Sequence, residues 1–500
     1  MAATTNPRLT GVGVQWSDSS ADALVGPDGV QIGLSARRSE RKRLLVYGNS
    51  IASQSTVALA LTTTASSAAN AGATSIVVAS VSGVSSGTKL AVGLYDGSVH
   101  LTTASANPVG NTVALTHPLP RYMRVSAPVV PYTTARSGLV RQGAGPISTA
   151  VMMLGMPVEL TAGYGYGGAT MGELIADLPR VLESVRPHFV ALHLYENSIP
   201  ADATLAQCQA WTRAAVRIAR GFGAVPIICT SVPSTSISNA SRSAVFDGIL
   251  AWVRTLGEEY VDFSSPWLDP TAMTSRPPAS GWATDGVHPD AARRFSAGVY
   301  ALDTLARVLG SSAASYADMD LGSNTLLAGS GGTATSLVGG SVVAAGYTIA
   351  ADAGVTATAS KTADDRQRLV MSVAGASNIS STTLTASKSV AVTAAAGGSV
   401  VVRAVCRVRV EDLTQISMLL FQAQCSGGEV YSVAQDAGIA QDPALTGRTI
   451  TIETAAFVVP EGCTSIQPQL RLRPVTLSSP SGVTASIVIE EMAVIPAALS

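Results

Sequence analysis

A serine, a histidine and an aspartate can together turn a hydroxyl into a nucleophile, and this chain carries one set whose local spacing suits that work. His288 lies three residues after Asp285 in Asp-Gly-Val-His-Pro (285–289). One loop can then present a carboxylate to one imidazole nitrogen. The carboxylate fixes the tautomer and stabilises the imidazolium, while the other nitrogen faces a serine. Ser50 closes Gly48-Asn49-Ser50, directly after the apolar run Leu44-Leu45-Val46-Tyr47. A serine hydroxyl is a weak nucleophile until a base takes its proton, so Ser50 needs a partner such as His288. Asn197, in Tyr195-Glu196-Asn197-Ser198, carries an amide that can donate to a developing oxyanion. Gly168, in Gly-Gly-Ala-Thr (167–170), offers a backbone N–H for the same purpose. Each piece alone also has an ordinary reading. Gly-Asn-Ser is a common turn, and Asp-Gly-Val-His-Pro can simply lead into a helix with Pro289 near its first position. Asn197 and Gly168 can be a cap and a turn residue.

The elements that must position these residues are legible from periodicity. The run 44–47, stopped by Gly48, reads as a buried strand ending in a turn. From about 144 helices and strands alternate. A helix-compatible stretch (147–154) precedes a strand (157–161). A helix over 171–185 follows, with Met171, Leu174, Ile175, Leu178, Val181, Leu182 and Val185 on one stripe, and Pro179 is expected to break or kink it. Then come strand 189–194, helix 204–220 stopped by Gly221 and Gly223, and strand 225–230. A helix carrying Val245, Ile249, Trp252, Val253 and Leu256, a strand at 260–263 and a closing helix over 290–309 complete the pattern. Such alternation argues for a parallel sheet covered by helices on both faces, with its chemistry at the carboxyl ends of the strands. Ser50, Gly168 and Asn197 each follow a different strand, and the 285–288 loop follows the last. All five candidate residues are therefore expected along one sheet edge.

Three regions break this rhythm. Residues 57–134 hold short alternating strands punctuated by Ser-Gly, Asp-Gly and Asn-Pro, and read as an all-β insertion. Residues 311–336 are rich in Ser, Ala and Gly and read as a linker. Residues 337–500 hold many short strands and read as a C-terminal β-sandwich or jelly roll. The expected organisation is an N-terminal arm (1–40), an α/β domain in two pieces (41–56 and 135–310), the insertion, the linker and the sandwich.

Composition excludes several functions. Thirty-two Lys and Arg nearly cancel 33 Asp and Glu. No basic block interleaved with aromatics appears, so no nucleic-acid partner is expected. The one basic run, 37–43, leads into a strand and reads as a solvated strand entry. The five cysteines, Cys208, Cys229, Cys406, Cys425 and Cys463, show no C-x-x-C spacing; buried free thiols are the default, with a Cys406–Cys425 bridge left open. His193 and His188 read as packed or helix-end residues, and His100 and His117 belong to the insertion. No histidine pair shows metal-ligand spacing, so neither metal nor cofactor is expected. The start of the sequence lacks the apolar stretch of a secretory signal, and no apolar run reaches the ~18 residues of a membrane helix. A soluble protein made without an N-terminal export signal, and with no membrane partner, is the expectation.

In order and context the four blocks resemble the SGNH (GDSL) hydrolases, a family of serine esterases. Gly48-Asn49-Ser50 matches the family's Gly-Asp-Ser, and Gly168 its second-block glycine. Tyr195-Glu196-Asn197-Ser198 matches Gly-x-Asn-Asp, and Asp285-Gly286-Val287-His288 matches Asp-x-x-His. The resemblance spans roughly 41–54 and 137–309. It implies a three-layer α/β fold with Ser50, His288 and Asp285 catalytic, and an oxyanion hole of the Ser50 N–H, the Gly168 N–H and the Asn197 side chain. Three residues depart from the pattern: Asn49 and Ser198 replace aspartates, and Tyr195 replaces a glycine. Asn49, Tyr195, Glu196 and Trp282 are expected to shape the pocket, with the Tyr195 ring near its mouth.

The insertion also resembles small β modules of bacteriophage tail proteins, and the C-terminal region resembles carbohydrate-binding jelly rolls. A structural or oligomerising sandwich fits the C-terminal region equally well. An aromatic sugar platform there would need Tyr431, Phe421 or Tyr347, since no Trp follows Trp282. These likenesses imply a phage tail spike or fibre, a homotrimer assembled in the host cytoplasm beside other tail proteins. Its ester substrate would be acetylated bacterial surface polysaccharide. Two alternatives stand beside it: a non-phage extracellular carbohydrate esterase, and a hydrolase fold without activity that serves as a receptor-binding module.

Overall fold

A computed structural model describes residues 41–497 apart from 54–56, 60–62, 95–98, 133–137, 143–144, 162–163, 374–382, 393–399, 414–415, 428–429, 435–441, 455, 461 and 475–482. Of residues 1–40 it describes three two-residue strands.

The candidate residues hang on a parallel sheet. Its strands are β1 (Arg43–Gly48), β2 (Glu159–Leu160), β3 (Tyr164–Gly165), β4 (Phe189–His193), β5 (Val225–Cys229) and β6 (Glu259–Val261). The order is β2-β1-β4-β5-β6, and β3 pairs with the far end of β1, Tyr47 beside Tyr164 and Gly48 beside Gly165. Strand β1 is apolar without alternation because both its faces are covered. Leu45 and Tyr47 pack with α3 (Met171–Val185), α4 (Leu205–Gly221) and α5 (Ala240–Val253). Leu44 and Val46 belong to the opposite core with α2 (Pro146–Met153), α6 (Arg294–Val299) and α7 (Leu302–Leu309). A one-turn helix α1 (Ser50–Ser53) follows β1.

Several expectations change. Helix α3 runs unbroken through Pro179. A proline removes one backbone hydrogen bond. Here a capping box of Thr170 and Glu173 fixes the start, and Leu174, Leu178, Val181 and Leu182 are all buried, which holds the helix across that gap. The single closing helix expected at 290–309 is instead a 3₁₀ turn (Ala291–Arg293) followed by α6 and α7, separated at Tyr300–Ala301. The basic run is not simply a solvated strand entry. Arg41 donates through Nη1 to both Glu453 oxygens, at 2.9 and 2.6 Å, and through Nη2 to the Met156 carbonyl.

That contact belongs to a larger fusion of the α/β layer with the C-terminal strands. Buried Arg403 lies between Glu159 of β2 (3.0 Å) and Glu453 (3.2 Å), and the Tyr316 hydroxyl donates to Glu453 at 3.0 Å. Burial opposes ionisation of Glu453, but the guanidiniums of Arg41 and Arg403 outweigh it and hold its carboxyl below the usual glutamate range. Asp442 accepts from the backbone and hydroxyl of Ser296, at the start of α6.

The C-terminal strands form two sheets of nine and six strands whose buried residues share one core with the α2 side of the parallel sheet. The nine-stranded sheet includes two strands from outside the C-terminal region. Gly138–Gln142 pairs in parallel with Val430–Ala434, and Val57–Leu59 pairs antiparallel with Gly138–Gln142. The strands that flank the insertion thus extend the C-terminal sheet, and the α/β domain and the sandwich are not separated by a free linker. Residues 311–336 pack rather than dangle. Tyr316 and Leu327 are buried there, and Asp320 pairs with buried Lys388. The insertion between these two strands has its own core, built on Ile76, Leu90, Val92, Val113 and Val129. The described cysteines are buried, Cys406 and Cys425 lying on different sheets. Among the described residues no helix is long and apolar enough to cross a membrane.

Candidate active site

Gly48 ends β1 in a backbone conformation (φ +150°) that side chains rarely adopt, and it sits against β4. A Cβ added there would lie 1.8 Å from the His193 carbonyl oxygen. Only glycine permits this approach. Next, the Asn49 N–H donates to that same carbonyl at 3.1 Å, and the Asn49 Oδ1 accepts from the Ile51 N–H at 3.1 Å. The turn carrying Ser50 is therefore tied to β4 by its backbone and closed on itself by the Asn49 side chain. Ser50 is half-buried at the carboxyl end of β1.

Glycine 168 lies on the neighbouring turn. The Tyr166 N–H donates to the Gly48 carbonyl (2.8 Å), and the Ala169 N–H donates to the Tyr166 carbonyl (3.1 Å). Gly168 itself takes φ +80° within that turn. It follows β3 rather than the strand at 157–161. Asn197 follows β4, and its Nδ2 donates to the Ala169 carbonyl at 3.0 Å. This bond joins the two oxyanion candidates. A primary amide has two protons, and Ala169 takes one of them. Ser198, where the family pattern has an acid, accepts from the Met171 N–H at 2.8 Å and anchors the start of α3.

The third part is the loop after β6. The Asp285 Oδ1 accepts from the Val287 N–H (2.9 Å) and the His288 N–H (2.8 Å), and its Oδ2 lies 2.7 Å from His288 Nδ1. Burial raises the Asp285 pKa, but these backbone donors and the imidazole outweigh it and hold the carboxyl below the ordinary aspartate range. The bond to Nδ1 leaves Nε2 as the ring's outward nitrogen. Gly286 (φ +81°) lets the loop close on Thr235: the Thr235 N–H donates to the Gly286 carbonyl, and a Cβ at 286 would lie 2.4 Å from the Thr235 hydroxyl. Asp290 braces the loop through Thr284 and through its own N–H to the Trp282 carbonyl.

The pocket-shaping residues sit differently from expectation. Tyr195 is not at a pocket mouth. It is fully buried and its hydroxyl meets the Thr212 hydroxyl of α4 at 2.9 Å, because the residue after β4 points down between sheet and helix. Glu196 is buried as well, with the Asn49 amide donating to its carboxylate. Burial pushes Glu196 up to about 7, against the lowering influence of the Asn49 amide, backbone N–H groups including that of Val232, and the charge of His288. Trp282 is half-buried between Trp267 (centroids 5.5 Å apart) and Tyr300 (6.1 Å), with the Arg293 guanidinium over its ring. His193 is buried and stacked on Phe263, and burial drives its pKa down to about 3, so it stays neutral. Phe421 and Tyr347 are buried in the C-terminal core and present no ring to a sugar; the Tyr431 side chain falls outside the described residues.

Two contacts had no signal in periodicity. Glu196 reaching Asn49 was visible only as an acid one residue before Asn197. Arg124 of the insertion lies over the Tyr166 ring at 5.9 Å, two residues from Gly168, and no local pattern links those segments. Among the described residues no group of three His, Cys, Asp or Glu side chains is arranged to hold a metal.

No protein-family model matches the chain, and no curated protein matches it. Solved structures give weak likenesses. One is an acetylxylan esterase from Geobacillus stearothermophilus, 13% identical, covering 54% of this chain and 95% of that one, with a TM-score of 0.30. Another is a GDSL-like lipase from Bacteroides thetaiotaomicron, 15% identical, covering 29% of this chain and 74% of that one, with a TM-score of 0.25. Similarity this low assigns no activity.

Proposed function

We propose that the protein is a serine esterase of the SGNH/GDSL type that removes O-acetyl groups from a carbohydrate. The observation that carries this reading is the Asp285–His288 pair, hydrogen-bonded at 2.7 Å, beside the Glu196–Asn49 bond that holds the turn carrying Ser50. In the proposed reaction His288 Nε2 takes the Ser50 proton as Oγ attacks the acetyl carbonyl. The oxyanion is held by the N–H groups of Ser50 and Gly168 and by the second amide proton of Asn197. His288 returns the proton to the sugar oxygen as the alcohol leaves. Water, deprotonated by His288, then attacks the acyl carbonyl; the bond to Ser50 Oγ breaks, His288 returns the proton to that oxygen, and acetate is released. Asp285 stabilises the imidazolium in both steps without itself taking a proton.

We infer that the substrate is acetylated bacterial surface polysaccharide and that the setting is a phage tail. The support is the pair of β regions that flank the site and the likeness of the insertion to tail modules. Acetate release from purified bacterial polysaccharides, with Ser50→Ala as control, tests both substrate and mechanism. Equal release by the two proteins removes the esterase reading and leaves a binding module. Finding the chain in purified virions would support the tail setting over a secreted esterase.

A further inference from the structure

We propose that Glu196 is a positioning residue for the reaction: through the Asn49 amide its carboxylate holds the turn that carries Ser50. This rests on the esterase reading above. Nothing in the sequence pattern demands an acid at 196, yet the structure buries one there, a costly placement unless a charge or a bond is wanted.

The geometry is specific. The Asn49 side chain uses both ends. Its Oδ1 receives the Ile51 N–H, closing the nucleophile turn, and its Nδ2 donates to the Glu196 carboxylate. Without that acceptor the amide would have a buried donor unmet and could rotate, loosening the turn. The carboxylate thus fixes Asn49, and Asn49 fixes the backbone on either side of Ser50. Asp285 holds His288 from its own loop, whereas Glu196 acts on the Ser50 turn from beyond the end of β4.

The neighbours of Glu196 on β1 and β5 carry no charge. From β1 it meets the neutral Asn49 amide, and from the segment after β5 the Val232 N–H. The Cys229 thiol at the end of β5 is pushed well above its usual value by burial, and so is the Tyr195 hydroxyl, so both stay neutral. An ionised Glu196 therefore gives the Asn49 amide a charge-assisted acceptor, which holds it harder than a neutral one.

Three variants in the full chain test this, with p-nitrophenyl acetate turnover read from pH 5 to 9 and thermal unfolding as a check on folding. Gln at 196 keeps the shape and still accepts from Asn49. A role in shape alone predicts that E196Q retains kcat. The proposal predicts a kcat about tenfold lower with KM little changed. It also predicts an acid limb made less steep, because the ionisation of Glu196 is gone. N49D puts two carboxylates in contact and should lose both activity and stability. N49D/E196Q returns to one carboxylate in that contact and should recover activity relative to N49D. An E196Q enzyme with the kcat and pH profile of the wild type, or a double variant no better than N49D, overturns the proposal. Ser50→Ala run alongside separates the failures: if it is as active as wild type, the esterase reading falls, whatever the 196 variants do.

Discussion

Replacing Asp285 with asparagine isolates the carboxylate's charge from its role in the loop. An asparagine Oδ1 can still accept from the N–H groups of Val287 and His288, so the turn should survive. The other side-chain atom becomes an NH₂ facing His288 Nδ1, now 2.7 Å from a carboxylate oxygen. Two donors cannot meet, so the ring must place its proton on Nε2, the nitrogen that has to receive the proton of Ser50. The size of the effect follows from exposure. The Asp285 side chain is 55% exposed and that of His288 32%, so water screens the pair. At an effective dielectric of ~40–80 and a charge separation of ~3.5 Å, losing the anion removes about 1–2.5 kcal/mol of imidazolium stabilisation. The charge-assisted bond and the tautomer it selects add about 1–2 kcal/mol. The sum corresponds to a fall in kcat of roughly 30- to 2,000-fold, less than a fully buried aspartate would give. Turnover of p-nitrophenyl acetate at pH 8 measures it, with the unfolding temperature as control. A variant that folds normally and keeps kcat within about threefold of wild type would show that Asp285 does not orient the base.

Other outcomes follow from the same contacts. Gly48→Ala should cost about 3 kcal/mol or more, because its Cβ would lie 1.8 Å from the His193 carbonyl and β1 must pull away from β4; chemical denaturation measures the loss, and activity should fall further than stability. Glu453→Ala leaves Arg41 and Arg403 without a shared buried anion and should destabilise the chain by about 3–5 kcal/mol, read as a lower unfolding temperature. A chain ending at residue 336 should be insoluble or inactive, since Gly138–Gln142 loses its partner Val430–Ala434; a soluble, active truncation would contradict the shared sheet. Folding keeps Glu196 protonated beyond the range in which an unfolded glutamate ionises, so the native state binds more protons from pH 4.5 or so up to about 7. Its contribution to stability is complete below that window and lost as pH rises through it, and E196Q should remove this slope from unfolding measured against pH.

The parallel sheet and the strand ends that precede Ser50 and Asn197 could be read from local signals, whereas Gly168 follows β3 and not the strand at 157–161. Strand β1 is apolar on both faces and stops at a glycine, and the helices α3 to α5 carry clear apolar stripes. Those signals are local because burial imposes a period on consecutive residues. The direction of a single side chain is not local. Tyr195 and Glu196 follow β4 as expected, but whether they face a pocket or the core depends on α4 and on Asn49, segments distant in sequence. Arg41 reads as one more basic residue at a strand entry until Glu453, 412 positions away, is placed against it. The same holds for 57–59 and 138–142, two short strands that no local pattern singled out and whose sheet is chosen by a partner near residue 430. Sequence determined which segments are strands, helices and turns; tertiary structure decided which of them share hydrogen bonds and ion pairs, because those partners are selected by chain closure over hundreds of residues, and periodicity carries no record of it.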